Sequence, residues 1–307
     1  METSYCHGLF ELAHAYDGFI LDQWGVLHHG QGLYPSALQT LNKLKADKKQ
    51  VVILSNSAKR SDFNKARLEE LGITSKHYND VITAGEVVWQ GLSHQDEGIF
   101  KDIGENVYLI NRGDDKSLLE GLDINLTSEI EDADFILVTG INTPDVTLED
   151  YEPILRKAVA KGLPLICANP DMITLFGRER HVGPGALAQR YSEFGGVAHL
   201  IGKPHKPIFQ KCLDGFKDII PSRILVVGDS LNHDVHGAKT LNLDSLFIMM
   251  GIHANHFKAA KTEAEKMRQL EHLAQNYAVH PEWVMDQLIW HTPEAAKHER
   301  ERQKWKD

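Results

Sequence analysis

Four clusters of polar residues each sit directly after an apolar run, and their side chains are of the kinds that handle phosphate. In Phe19-Ile20-Leu21-Asp22-Gln23-Trp24-Gly25 an acid ends the run and a glycine turn follows. Val51-Val52-Ile53-Leu54 is succeeded by Ser55-Asn56-Ser57, a hydroxyl and an amide that can bind phosphate oxygens. Gly202-Lys203-Pro204 holds a lysine in a stiff frame, where it can neutralise anionic charge at low ordering cost. Finally, Ile224-Leu225-Val226-Val227-Gly228 leads into Asp229 and then Asp234, two carboxylates suited to a hard divalent cation such as Mg²⁺. Taken singly, each has an ordinary reading: Asp22 as a turn residue, Ser55 and Asn56 as caps, Lys203 as a solvated loop lysine. Their succession is more informative, because the carboxyl ends of strands in an open parallel sheet converge on one crevice.

The elements that must position these groups follow from hydrophobic pattern. Apolar runs at Gly18 to Leu21, Val51 to Leu54, Val107 to Ile110, Phe135 to Val138, Leu163 to Cys167, Ile224 to Val227 and Leu246 to Met249 contain no polar break. Such runs read as strands buried on both faces, the signature of a parallel sheet covered by helices, so the fold class is α/β. Pro35 starts a helix with Leu38, Leu41 and Leu44 on one side; Ser61 caps another that stops at Gly72. A third helix follows Asp234 with Val235, Ala238 and Leu241 inward, and a charged amphipathic helix is expected from Phe257 to Leu273. The charge-dense tail, 297–307, reads as a solvated or frayed end. The stretch 86–194 carries strands and helices of its own, which predicts a module inserted into a discontinuous core formed by 1–85 and 195–307.

Composition narrows the partners. With 307 residues and a formal net charge of -10, the chain lacks the basic footprint of a nucleic-acid or anionic-membrane binder. No apolar run reaches the roughly 18 residues that a membrane span needs. The first Lys or Arg is Lys43, so no signal or transit segment is expected. Cys6, Cys167 and Cys212 have neither metal-type nor disulfide-type spacing, which predicts reduced thiols and a cytoplasmic protein.

The order Asp22, Ser55, Lys203, Asp229 and Asp234 resembles the haloacid dehalogenase superfamily, and more narrowly its subfamily IIA, mostly phosphatases of sugar phosphates and other small phosphomonoesters. Further likeness lies in Ala168-Asn169-Pro170-Asp171, Gly183 to Ala188 and Pro281-Glu282-Trp283-Val284, so that it covers nearly all of the chain up to Leu288. The resemblance implies a Rossmann-like parallel-sheet core with an inserted α/β cap. It also implies that Asp22 attacks phosphorus to form an aspartyl-phosphate, that Ser55 and Lys203 hold phosphoryl oxygens, and that Asn56 helps frame them. Mg²⁺ would be held by Asp22, the backbone carbonyl of Trp24 and Asp229, with Asp234 in or beside that set. Asn169, Asp171, Arg178, Arg180 and His181 would face the substrate from the cap, or else be residues of an ordinary surface loop. Cap-mediated homodimers are common among such relatives, and the sequence leaves monomer and homodimer both open.

One departure stands out. The phosphatases of this family carry a second aspartate two residues after the nucleophile, where it protonates the leaving oxygen; this chain has Trp24. Indole cannot serve as an acid or base at neutral pH. Three consequences are open: a substitute acid among His28, His29, His205 and His233, a substrate with a good leaving group such as an acyl phosphate or phosphoanhydride, or binding of a phosphorylated ligand with little turnover. Carbon–halogen hydrolysis is a further alternative, since dehalogenases also place an aromatic there, but it leaves Asp229 and Asp234 without a role.

Overall fold

The computed structural model describes residues 3–176, 179–216 and 218–291. Arg178 and the tail at 297–307 lie outside the described residues. The chain divides into two compact units, one comprising Met1–Leu54, Lys65–Val81 and Phe209–Asp307, the other Ser55–Asn64 and Ile82–Ile208.

The first unit is built on a seven-stranded sheet. Its order is Ser4–Tyr5, Trp283–Met285, Asp244–Ile248, Ile224–Gly228, Gly18–Asp22, Gln50–Ser55 and Asp80–Thr83. Gly18–Asp22 pairs in parallel with both of its neighbours, Ile224–Gly228 and Gln50–Ser55. In the first pairing Leu21 lies opposite Val227, so Asp22 and Asp229 emerge from adjacent strands one residue out of step. Burial explains the uninterrupted apolar runs: Phe19, Ile20, Leu21, Val51, Ile53, Leu225 and Val227 are all enclosed. Leu41 and Leu44 of the helix Pro35–Ala46 pack onto this core, with Leu38 half-buried beside them.

The second unit contains a five-stranded parallel sheet in the order Val197–Leu200, Pro164–Cys167, Phe135–Val138, Asn106–Ile110, Asn125–Thr127. A two-stranded antiparallel ribbon, Ile173–Phe176 with Glu179–Val182, adds to it. The helices Leu148–Lys161 and Pro184–Glu193 cover the sheet around Leu155, Leu165, Leu187 and Tyr191. The fold is thus α/β with a Rossmann-like parallel core, as expected.

Several local expectations need correction. Ser61 does not cap its helix; its own amide donates to Glu86 Oε2 at 3.1 Å, so a carboxylate distant in sequence supplies the acceptor that the free helix amides require. The helix after Asp234 is shorter than expected. A π-helical stretch, Leu231–Val235, comes first and only His236–Lys239 is α-helical, with Val235 and Ala238 buried and Leu241 beyond the helix end. The amphipathic stretch is split into Ala254–Phe257 and Glu263–Tyr277, because Thr262 starts a fresh helix through its reciprocal bonds with Glu265. The strand placed at Leu246 to Met249 runs from Asp244 to Ile248.

Candidate functional site

At the carboxyl end of the first unit's sheet, carboxylate oxygens of Asp22, Asp229 and Asp234 all lie within 4.8 Å of one another. Asp229 and Asp234 are buried, and Asp22 is half-buried. Adjacent strands deliver Asp22 and Asp229, while the π-helical turn brings Asp234 back beneath Gly228.

Backbone donors fix two of the three. The Ile252 amide donates to Asp229 Oδ2 at 2.7 Å, and the Ser230 amide donates to Asp234 Oδ2 at 3.0 Å. Glycines leave room for them. At Gly25 (φ +78) and Gly251 (φ +126) a Cβ would fall inside the Asp229 carboxylate; at Gly228 it would fall inside that of Asp234. The first two also occupy the left-handed region that side chains avoid.

This donor set fits a hard divalent cation. It consists wholly of carboxylate oxygens, and several like charges so close need an added positive charge to coexist. Two oxygens on one Mg²⁺ at about 2.1 Å are at most about 4.2 Å apart, so small rotations suffice to bring the trio into range.

The loop after Asp22 forms a tight knot. The Gly25 amide donates to the His28 carbonyl, and the amides of Leu27 and His28 both donate to the Gln23 carbonyl. Trp24 is 52% exposed, its ring edge-on to His28 with centroids 6.0 Å apart. His28 is buried, and its Nδ1 accepts from the Gly30 amide at 3.1 Å. Burial, then the charges of Arg67 and His29, lowers its pKa to about 4, so it is neutral near pH 7 and holds no proton that Nδ1 could give. Tyr34 is raised above its usual range by burial and by the negative charge of Asp229.

The remaining residues expected at the site lie in the second unit, where Asn56 ties three segments together. Its Nδ2 donates to Asp171 Oδ1 at 2.8 Å and to the Lys203 carbonyl at 3.3 Å, and its Oδ1 accepts from the Lys203 amide at 2.6 Å. Asn169 Oδ1 accepts from the Asp171 amide at 3.0 Å, while the Cys167 thiol donates to the Asn169 carbonyl. Ser55 Oγ accepts from the Ser57 amide at 3.2 Å. Lys203 is 3% exposed, far from the solvated lysine of its ordinary reading. Arg180 is exposed and His181 half-buried on the two-stranded ribbon.

Sequence reasoning noted Gly25 for its turn alone and overlooked Gly251 and the Ile252 and Ser230 amides.

A profile described as haloacid dehalogenase-like hydrolase matches residues 19–125, and a second, HAD-hydrolase-like, matches residues 200–289. The chain belongs to the haloacid dehalogenase superfamily. Within this hydrolase superfamily it falls in subfamily IIA, the capped branch. A structure of a haloacid dehalogenase-like hydrolase from Brucella suis superposes with a TM-score of 0.75 at 29% identity, covering 92% of this chain and all of that one. An acid sugar phosphatase from Staphylococcus saprophyticus is 24% identical, over 82% of this chain and 91% of its own length. A putative NipSnap protein from Caenorhabditis elegans is 26% identical over 73% of this chain; the match spans only 46%, about half, of that relative.

Proposed function

We propose that this protein is a Mg²⁺-dependent phosphatase of small phosphorylated metabolites that works through an aspartyl-phosphate on Asp22. The observation that carries the reading is the convergence of Asp22, Asp229 and Asp234 at the ends of adjacent parallel strands. Asp22, Asp229 and Asp234, with the Trp24 backbone carbonyl, would hold the ion. When bound, it offsets the repulsion between an anionic nucleophile and an anionic substrate. An Asp22 oxygen bonds to phosphorus as the ester P–O bond breaks, and water then hydrolyses the acyl phosphate. Ser55 and Lys203 take phosphoryl oxygens in this reading, and Asn169 and Asp171 serve the substrate. Those four roles rest on the motif likeness, and Asn56 supports Lys203 through its backbone.

Neither the Trp24 indole nor the buried, neutral His28 is a ready proton donor for the leaving oxygen. This favours leaving groups that depart without protonation. The same observation supports a second reading, a phospholigand-binding protein with weak turnover. The likeness to an acid sugar phosphatase supports the catalytic one.

A cap domain inserted into a discontinuous core belongs to the same proposal. The pairing of Val197–Leu200 with Pro164–Cys167 supports extending that cap past 194. Three buried free thiols support a reducing, cytoplasmic setting, and no helix among the described residues is long and apolar enough to cross a membrane. A Mg²⁺-dependent screen over phosphorylated metabolites, run beside Asp22→Asn, tests the function. Turnover that needs Mg²⁺ and is lost in the variant supports it, and turnover that survives in the variant rejects it.

A further inference from the structure

Three large apolar side chains of the first unit stand in solvent on the two segments that close on Asp229: Trp24 at 52% exposure, Ile252 at 53% and Met250 at 37%. They are adjacent through backbone contacts. A Cβ built on Gly25 would lie 3.1 Å from the Gly251 Cα, so the segments 24–25 and 250–252 abut directly. Ile252 is also the residue whose amide holds Asp229.

Nor is the indole loose. One edge packs over Gly30, where a Cβ would come within 2.6 Å of Trp24 Cζ2, and His28 meets the ring at an interplanar angle of 70°. A pinned but exposed indole, on a segment that abuts one carrying two more exposed apolar residues, is a costly arrangement for a surface with no apolar ligand.

We propose that Trp24, Ile252 and Met250 form a platform for the leaving group, selecting phosphate monoesters whose leaving group is a planar aromatic ring. This deepens the phosphatase reading and rests on it. It also accounts for the lost acid. In the transfer the P–O(aryl) bond breaks as the bond from Asp22 to phosphorus forms, and the electron pair leaves on a phenolate. A phenolate, whose conjugate acid has a pKa of about 10, leaves unprotonated and picks up a proton from water afterwards. Where a protonating aspartate would serve an alkoxide, an indole here serves a ring.

The test measures affinity, so it does not depend on turnover. Phenylphosphonate and methylphosphonate are titrated by calorimetry into the full-length protein with Mg²⁺, for wild type, Trp24→Ala, Ile252→Ala and Trp24→Phe. Aromatic contact with burial of the ring predicts that wild type prefers the phenyl ligand by about 10-fold or more. Trp24→Ala should reduce that preference to within about 3-fold, Ile252→Ala should reduce it partly, and Trp24→Phe should retain most of it. Equal affinities in the wild type, or an undiminished preference in Trp24→Ala, overturns the platform. Phenyl phosphate turnover that survives in Asp22→Asn rejects the nucleophile assignment instead, so the two failures are separable.

Discussion

At the scale of single residues, the proposed chemistry turns on what Trp24 and His28 can do with protons. Proton donation to the leaving oxygen supplies about 10²- to 10⁴-fold in enzymes that have it. Trp24→Asp is therefore expected to raise kcat on alkyl phosphates by about 10-fold or more, and steady-state kinetics with Mg²⁺ present checks this. An unchanged kcat would count against the missing-acid account. His28 makes a second prediction, on stability. Its folded pKa of about 4 lies below the unfolded value of 6.5, so between those values the unfolded chain binds the extra proton. Stability should therefore fall as pH drops from about 6.5 towards 4, by up to about 3 kcal/mol from this group. Urea unfolding midpoints across that window should slope less steeply in His28→Asn than in wild type. Asp22 and Asp229 stood out in the sequence because each comes at the end of an apolar strand, and Asp234 because it lies in the first turn of the helical stretch that follows. The proton state of His28 was not legible there, since burial and a bond to the Gly30 amide set it.

At the scale of elements, the loops that follow strands carry the site. Gly25 and Gly251 let two of them close on Asp229, each at a positive φ and each with the Asp229 carboxylate filling the space a Cβ would need. Gly25→Ala should destabilise the protein by about 1–3 kcal/mol and displace Asp229. Urea unfolding together with Mg²⁺ titration measures both effects, and the prediction fails if the midpoint and the metal affinity are unchanged. Strands were easy to read where Val, Ile, Leu and Phe ran without interruption. The ribbon Ile173–Phe176 with Glu179–Val182 was harder, because each strand has only four residues and the second is mostly polar. Helix starts misled wherever the capping group came from elsewhere in the chain, as Glu86 does for Ser61, or where a new cap at Thr262 divided one amphipathic pattern. Backbone donors such as Ile252 have no side-chain signature, so the support around Asp229 was beyond the reach of pattern.

At the scale of the whole molecule, a net charge of -10 works against any phosphorylated substrate unless cations are placed locally. Metal binding should then be linked to stability. At Mg²⁺ about 100-fold above its Kd, the native state gains about 2.7 kcal/mol, so the thermal midpoint should rise with Mg²⁺ in wild type and much less in Asp229→Asn. Equal shifts in the two proteins would place the ion elsewhere. The α/β class was foreseeable from the alternation of elements, whereas the place of Val197–Leu200 in the five-stranded sheet was not, since it comes from a pairing that composition does not reveal. The central claim remains that Asp22 accepts a phosphoryl group, and acid-quench trapping with ³²P-labelled phenyl phosphate and Mg²⁺ tests it most directly. The account predicts an acid-stable, hydroxylamine-labile label that maps to the peptide containing Asp22 and vanishes in Asp22→Asn. A label on another residue, or turnover of phenyl phosphate that survives in Asp22→Asn, would contradict it.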